Sequence, residues 1–265
     1  MYQLAANLEL LFTEAGSNYI DRAKAAADAG FKAVEIWGTS NKDVSALASA
    51  LGDLGLTLTS MVVEPRSNLV FPGTDHQQFF DGLSRSLEHA LQLNCRRMVI
   101  SPGLGFPGAK RRQNLDKLVE VYSQVMERVA QTNVTILHEP VNTRVDHPGV
   151  LVDRTADALT VIRAINSPKL RLLYDFYHSV VEGETPATEL ANAADVLEYV
   201  QFADAPGRGE PGSGTIDWPW CFALLRKVGY SGPIGLEYVP TTTSLQSVQH
   251  ILKLARSTET THVNQ

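Results

Sequence analysis

Four acidic or amide side chains follow short apolar runs in the second half of the chain. The runs VTILH, LRLLY, EYV and IGL lead into Glu139, Asp175, Gln201 and Glu237. Burying an unpaired carboxylate is costly, so three converging carboxylates would repel each other unless a cation compensated them. Carboxylate and amide oxygens are hard ligands that favour Mg²⁺ or Mn²⁺, and they suit zinc less well. The set therefore predicts one divalent metal site formed by Glu139, Asp175, Gln201 and Glu237.

Taken singly, each of these acids is more commonly a helix N-cap or a surface loop residue. The metal-site interpretation depends on the recurrence of a polar residue at the ends of four successive strands. It also depends on the strand register, because a shift of one residue turns every side chain to the other face.

Other polar residues lie close to this set in sequence. His178 and Asp204 each follow a predicted ligand by three residues, and Arg208 lies in the glycine-rich segment PGRGEPGSG. An arginine on such a loop can hold a carboxylate bidentately, and a histidine can bind hydroxyl or carbonyl oxygens. We expect His178 and Arg208 to contact the substrate; a buried structural histidine and a solvated arginine are the alternatives.

The first half of the chain also has polar residues at strand ends. Asn7, Glu35 and Glu64 occupy such positions, but Glu35 could equally pair with a lysine or cap a helix, so no role is assigned. Trp37 ends a predicted strand, next to a loop that leads to a helix, and could form a wall of the pocket.

Short apolar segments alternate with helical patterns from end to end, which is typical of βαβ units around a parallel sheet. The expected strands are Leu4–Leu8, Ala33–Trp37, Thr57–Val63, Arg97–Ser101, Val134–Glu139, Leu170–Phe176, Leu197–Ala203 and Pro233–Tyr238. Eight helical segments lie between and after them, with Thr155 as the expected N-cap of one helix. A doubly wound open sheet is the alternative, but no glycine-rich dinucleotide loop follows Asn7. We predict a single (β/α)₈ TIM barrel over residues 1–258 and a polar C-terminal tail over 259–265.

Bulk properties restrict the function classes. The 265 residues match the roughly 250 of one barrel domain. The net charge of -6 and the pI near 5.6 disfavour nucleic acid and anionic membranes as partners. Two separated cysteines weakly favour the cytoplasm, and no run approaches the roughly 20 apolar residues of a membrane span. The sequence leaves a homo-oligomer open.

The motifs HEPVNTR, YDFYH, QFADAPGRGEPGSG and GLEYVP, in this order, resemble those of the hydroxypyruvate isomerase family. This family belongs to the xylose-isomerase-like TIM barrels, together with ketose 3-epimerases and endonuclease IV. The resemblance spans nearly the whole chain and is most specific from Glu139 to Pro240. It implies that Glu139 and Glu237 move protons in addition to holding the metal, and that His178 and Arg208 contact the substrate.

The implied reaction converts hydroxypyruvate to tartronate semialdehyde through an enediolate, with Arg208 beside the substrate carboxylate. The chain departs from the family at Gly214-Thr215-Ile216, because members of the family commonly have a glutamate at the position of Thr215. This difference leaves the identity of the substrate open. A ketose 3-epimerase or a 2-oxotetronate isomerase would keep the same ligands. From other classes, an endonuclease IV-like DNA-repair enzyme and a non-catalytic barrel that binds a sugar acid remain alternatives.

Overall fold

A computed structural model describes residues 2–260 of the chain. Its strand segments form one sheet in which every pairing is parallel. In chain order they are β1 (Leu4–Asn7), β2 (Ala33–Glu35), β3 (Thr57–Leu58), β4 (Met61–Val62), β5 (Arg97–Ile100), β6 (Thr135–His138), β7 (Leu170–Asp175), β8 (Leu197–Phe202) and β9 (Ile234–Leu236).

The sheet closes on itself through its third strand. The sheet order is β3-β2-β1-β9-β8-β7-β6-β5-β4, so the two outer segments are separated by only two residues of chain. The Thr59 N–H donates to the Val34 carbonyl at 2.9 Å, and the Val63 N–H donates to the Val99 carbonyl at 2.9 Å. β3 and β4 are therefore two halves of one strand that pairs with β2 on one side and β5 on the other. The predicted eight-stranded barrel is confirmed.

Helices follow the strands and cover the outside of the barrel. The described chain contains α1 (Tyr19–Asp28), α2 (Val44–Asp53), α3 (His76–Gln92), α4 (Arg111–Val129), α5 (Thr155–Ile165), α6 (Phe176–Glu182), α7 (Pro186–Ala193), α8 (Trp218–Lys227) and α9 (Ser244–Thr260). All eight predicted helical segments correspond to helices, and the short α6 is an addition that the sequence pattern did not predict.

The expected N-cap at Thr155 is wrong. Arg154 occupies the cap position and α5 begins at Thr155 itself. The Thr155 N–H and hydroxyl both donate to the Glu184 carboxylate, each at 2.8 Å. A carboxylate from the α6–α7 connection thus satisfies the first N–H of the helix, and the threonine hydroxyl serves as a donor instead of a cap.

The core has two layers because alternate residues of a strand face opposite sides of the sheet. Met98, Ile136 and Leu172 pack in the large cluster between the sheet and the helices. Their neighbours inside the barrel form a separate cluster of Val99, Leu137, Leu173 and Tyr199. The barrel interior is therefore filled with side chains and leaves no channel through its centre.

Helix α9 extends to Thr260, and the rest of the predicted tail, 261–265, lies outside the described residues. The domain boundary after residue 258 stays a prediction. Within residues 2–260, no helix has the length and apolar character that crossing a membrane requires.

Candidate metal and acid–base site

The barrel register places the predicted ligands at the carboxyl ends of neighbouring strands. Asp175 of β7 is the register partner of Gln201 of β8, and Gln201 is the partner of Gly235 of β9. Glu139 directly follows β6, and Glu237 directly follows β9. Side chains at this end of a parallel barrel converge on one opening.

Four side chains approach each other closely enough to share an ion. Glu139, Asp175, His178 and Glu237 each offer one ligand atom, and these atoms all lie within 4.8 Å of one another. Asp175, His178 and Glu237 are buried, while the Glu139 side chain is 15% exposed. The structure thus brings together three of the predicted ligands and one predicted substrate contact.

Three buried oxygens at this site have no hydrogen-bond partner among the described residues: Glu139 Oε1, Asp175 Oδ2 and Gln201 Oε1. Asp175 accepts the Tyr177 N–H through Oδ1 at 2.8 Å, which leaves its second oxygen available. Gln201 donates through Nε2 to Glu35 Oε1 at 3.1 Å, so its amide oxygen points elsewhere. Since buried polar atoms normally have partners, these oxygens fit a divalent cation that prefers oxygen ligands.

Glu237 differs from the other candidate ligands because protein donors engage both of its oxygens. Trp37 Nε1 donates to Oε1 at 2.6 Å, and Arg208 Nη2 donates to Oε2 at 2.8 Å. Asn7 Nδ2 lies 3.4 Å from the same Oε1. These contacts fix the orientation of the carboxylate at the cavity wall.

Glu35 lies beneath the candidate ligands and binds four donors. Its Oε1 accepts from the Asn7 and Gln201 amides at 3.0 and 3.1 Å, and its Oε2 accepts from Ser60 and Tyr199 at 3.1 and 2.8 Å. Glu35 therefore neither pairs with a lysine nor caps a helix, which were the two readings that the sequence left open. It holds the Gln201 amide in the orientation that leaves the amide oxygen free.

Burial shapes the electrostatics of this region. It raises the pKa of Asp175 to about 8, with Glu237 adding to the effect and Arg208 opposing it. Burial also raises the pKa of Glu139 well above its ordinary value, and the Glu237 and Asp175 charges raise it further. Burial and the Glu237 charge raise the pKa of Glu35 to about 7. The protein alone therefore disfavours simultaneous ionisation of these carboxyl groups, and a bound cation would relieve this cost.

His178 presents a hydrogen-bond donor to the site. Its Nδ1 accepts the Asn142 backbone N–H at 3.2 Å, which assigns the proton of the neutral ring to Nε2. Burial, followed by the Arg208 charge, lowers the pKa of His178 and keeps the ring neutral. Nε2 lies 3.7 Å from Asp175 Oδ2 and 3.9 Å from Glu139 Oε1. The Nε2–H can therefore donate to an oxygen of a bound molecule.

Asp204 organises the loop that carries Arg208. Its carboxylate accepts the N–H groups of Ala205, Gly212 and Ile216 and the indole N–H of Trp218. Asp204 is fully buried and does not line the cavity, so its carboxylate serves the loop and not the cavity wall. Arg208 has a φ of 54°, an uncommon conformation for a residue other than glycine, and such strain concentrates at functional sites.

A cavity of about 140 Å³ opens beside the candidate ligands. Drug-sized ligands occupy pockets of roughly 300–1,000 Å³, so this volume suits a small compound. The predicted Trp37, Glu139, His178, Arg208 and Glu237 line it. Sequence reasoning did not assign three polar members of the lining, which are Arg66, Ser101 and His147. Arg66 and Ser101 lie shortly after the ends of strands. This location in the sequence is the signal that could have predicted their place in the cavity wall.

Comparisons with known proteins identify the family of the barrel. Residues 23–256 match the model of the xylose isomerase-like TIM barrel family. The chain is 30% identical to hydroxypyruvate isomerase of Escherichia coli K12, over 92% of this chain and 96% of that protein. It is 31% identical to 2-oxo-tetronate isomerase of Cupriavidus necator, over 91% and 94% of the two chains.

The solved structure of a Brucella melitensis protein named AP endonuclease, family 2, superposes with a TM-score of 0.88 at 26% identity. The match covers 96% of this chain and 99% of the Brucella chain. The matched region includes every candidate site residue from Glu35 to Glu237. The chain therefore belongs to the xylose isomerase-like TIM barrel family and, within it, to the isomerases related to hydroxypyruvate isomerase.

Proposed function

We propose that this protein isomerises hydroxypyruvate to tartronate semialdehyde with the help of one divalent cation, Mg²⁺ or Mn²⁺. The observation that carries the proposal is the set of three buried oxygens without partners among the described residues, next to a small cavity. Glu139, Asp175, Gln201 and Glu237 would hold the cation. A bound divalent cation would polarise the carbonyl and hydroxyl oxygens of the substrate and make the adjacent C–H more acidic.

Glu139 and Glu237 carry the proton transfers in this proposal. One carboxylate removes a proton from the hydroxymethyl carbon of hydroxypyruvate, and an enediolate results. The other glutamate delivers a proton to the neighbouring carbon, which was the ketone carbon, and the hydroxyl proton passes from the oxygen of the first carbon to the former ketone oxygen, so that an aldehyde and a new hydroxyl group result. Burial raises the pKa of Glu139, which favours the protonated form that a proton donor needs, and the Trp37 and Arg208 contacts hold Glu237 in place.

His178 and Arg208 contact the substrate in this proposal. The Nε2–H of His178 donates to a substrate oxygen, because Asn142 occupies the other ring nitrogen. Arg208 holds Glu237 through Nη2, and its buried Nε has no partner among the described residues, so it remains able to donate to the ligand.

Isomerisation of a 2-oxotetronate is the second candidate, and the Cupriavidus necator relative favours it. Both reactions remove a proton next to a ketone in a short hydroxy-oxo acid. They differ by one carbon, so the size of the cavity selects between them.

Proton exchange in D₂O tests the function directly. The protein with Mn²⁺ is incubated with hydroxypyruvate, 2-oxotetronates and free ketoses, and NMR follows deuterium at the reacting carbon. We expect deuterium incorporation and aldehyde formation from hydroxypyruvate. Exchange with ketoses alone would support a 3-epimerase instead, and no exchange with any of them would support a non-catalytic sugar-acid-binding barrel. A cytoplasmic location stays a prediction from the sequence, and the oligomeric state stays open.

A further inference from the structure

Arg66 is a second cation in the wall of the cavity. It lies after the third strand and lines the same space as Glu139, Glu237 and Arg208. Its side chain has no ion pair or hydrogen bond with any described residue, and its guanidinium carbon lies 5.8 Å from the centre of the Trp37 ring. Arg66 is solvent-exposed, so its guanidinium group is available to a ligand that enters the cavity.

The segment that carries Arg66 is firmly attached to the barrel. The carboxylate of Glu64, two residues earlier, accepts the N–H groups of Thr39 and Ser40 at 2.7 and 2.9 Å and the Ser40 hydroxyl at 3.0 Å. The Glu64 N–H donates to Ser86 of α3 at 3.2 Å. These bonds join the loops after β2 and β4, so Arg66 starts from a fixed backbone position. Such pre-organisation lowers the entropy cost of binding a ligand.

The guanidinium group of Arg208 already interacts with two carboxylates of the protein. Its Nη2 donates to Glu237 at 2.8 Å, and its Nη1 lies 3.8 Å from Asp146. Arg66 is the other charged donor of the cavity wall, and within residues 2–260 no carboxylate lies in ion-pair distance of it.

The balance of charges at the site favours one more positively charged side chain when the substrate carries a carboxylate. Glu139, Asp175 and Glu237 contribute three negative charges when ionised, and a divalent cation with Arg208 supplies three positive ones. A substrate carboxylate would therefore enter as an uncompensated charge in a partly desolvated space, which is unfavourable.

Thr215, where the sequence departs from the family, does not compensate the charge of a substrate carboxylate. Thr215 is exposed and does not line the cavity. Its N–H and hydroxyl both donate to the Ala205 carbonyl, at 2.8 and 2.9 Å. Thr215 therefore closes the base of the Arg208 loop, and substrate choice must depend on residues of the cavity wall.

We propose that Arg66 binds the carboxylate of the substrate and thereby selects short hydroxy-2-oxo acids over uncharged ketoses. The inference rests on the proposed isomerase function for the identity of the reacting group. A guanidinium group binds a carboxylate through paired, charge-assisted hydrogen bonds, and a glutamine in its place keeps a donor but loses the charge and the paired geometry.

The test compares R66Q with the wild type on two compounds that differ in one group. Hydroxypyruvate carries a carboxylate where dihydroxyacetone carries a hydroxymethyl group. For R66Q with Mn²⁺, we expect kcat/KM for deuterium exchange on hydroxypyruvate to fall about 10- to 100-fold, chiefly through KM, and to fall at least about tenfold less on dihydroxyacetone. The matched control is R85Q, which removes the same charge from the exposed face of α3 and should behave as wild type.

A binding experiment that needs no turnover separates the two proposals. Calorimetry with Mn²⁺ present measures the affinities for glycerate and glycerol, which differ by the same exchange of groups. The wild type should bind glycerate more tightly, and R66Q should lose most of that preference. Equal glycerate affinity in wild type and R66Q would overturn the role of Arg66 while leaving the isomerase proposal intact. A wild type that exchanges no proton on any oxo acid, yet loses glycerate binding in R66Q, would overturn the reaction and support the role of Arg66.

Discussion

At the scale of single residues, Asp175 and Gln201 each use one atom to bind the protein and leave an oxygen for the site. Asp175 binds the α6 backbone through Oδ1, and Gln201 binds Glu35 through Nε2. In each side chain, the hydrogen bond made by one atom fixes the orientation of the group and so determines where the free oxygen points. Glu237 binds protein donors with both oxygens, which suits a residue that must keep one orientation while protons move.

Replacing either proposed proton carrier should abolish most of the activity. We expect E139Q and E237Q each to lower kcat on hydroxypyruvate by at least about 100-fold, because an amide cannot accept and return the proton. Deuterium exchange and turnover measure the effect. E198Q is the control, since Glu198 pairs with Arg97 near the start of β8, away from the cavity. Near-wild-type turnover in either site variant would rule out the proposed acid–base pair.

Replacing Glu35 should weaken metal binding without removing a ligand. A glutamine at this position presents an NH₂ group to donors that now face a carboxylate, so the Gln201 amide loses its fixed orientation. We expect the Kd for Mn²⁺ in E35Q to rise about 10- to 100-fold, the usual effect of residues that orient metal ligands. Calorimetry measures the Kd, and circular dichroism verifies that the variant is folded.

Y199F provides a milder version of this experiment. It removes only the hydroxyl that donates to Glu35 Oε2 and should raise the Kd for Mn²⁺ by a smaller factor. If E35Q is folded and binds Mn²⁺ as tightly as wild type, Glu35 does not position the site.

At the scale of elements, glutamate side chains tie neighbouring loops together at the catalytic end of the barrel. In each case one carboxylate accepts both the N–H and the hydroxyl of a single serine or threonine. The pairs are Glu14 with Ser244, Glu64 with Ser40, Glu182 with Thr143, Glu184 with Thr155, and Glu210 with Thr241. Loops that carry site residues are thus fixed by contacts made far from the reacting atoms.

The Arg208 loop should depend on Asp204 for its stability. We expect D204A to lower the free energy of unfolding by about 2–4 kcal/mol, since it leaves buried backbone and indole donors without an acceptor. D217A is the matched control and should cost about 1 kcal/mol, because Asp217 only caps α8. Urea denaturation measures both. A loss in D204A no larger than that in D217A would contradict the organising role of Asp204.

At the scale of the whole molecule, metal binding should stabilise the fold. The unpartnered oxygens lie on three different strand ends, Glu139, Asp175 and Gln201, so a cation would connect them. At about 100 times its Kd, Mn²⁺ should add about 2.7 kcal/mol and raise the Tm of chelator-treated protein by about 5–10 °C. E198Q should keep this shift. A Tm that is the same with and without Mg²⁺ or Mn²⁺, together with metal-free turnover, would contradict the metal site.

The overall charge predicts how the protein behaves towards nucleic acid. The net charge is -6, and the cavity of about 140 Å³ is small. We expect no binding of duplex DNA with an abasic site at about 20 mM salt, where phosphate contacts are strongest. Fluorescence anisotropy measures binding, with a basic DNA-binding protein as the positive control. Tight, salt-dependent binding would instead favour the DNA-repair class, to which the name of the similar Brucella melitensis protein refers.

The sequence by itself determined the barrel and the four candidate ligands. Alternating strand and helix patterns are local, and in a barrel the residue that ends each strand faces the same opening, so Glu139, Asp175, Gln201 and Glu237 could be identified without coordinates. The roles of Glu35, Trp37 and Arg66 required the tertiary structure.

The reason is that their contacts join distant parts of the chain. Trp37 and Glu237 are 200 residues apart, and Gln201 and Glu35 are 166 apart. Such pairs meet only when the last strand closes the barrel against the first, and a local pattern does not encode which side-chain atoms then face each other. The sequence therefore determined which residues reach the opening, and the closed barrel decided how their atoms are oriented.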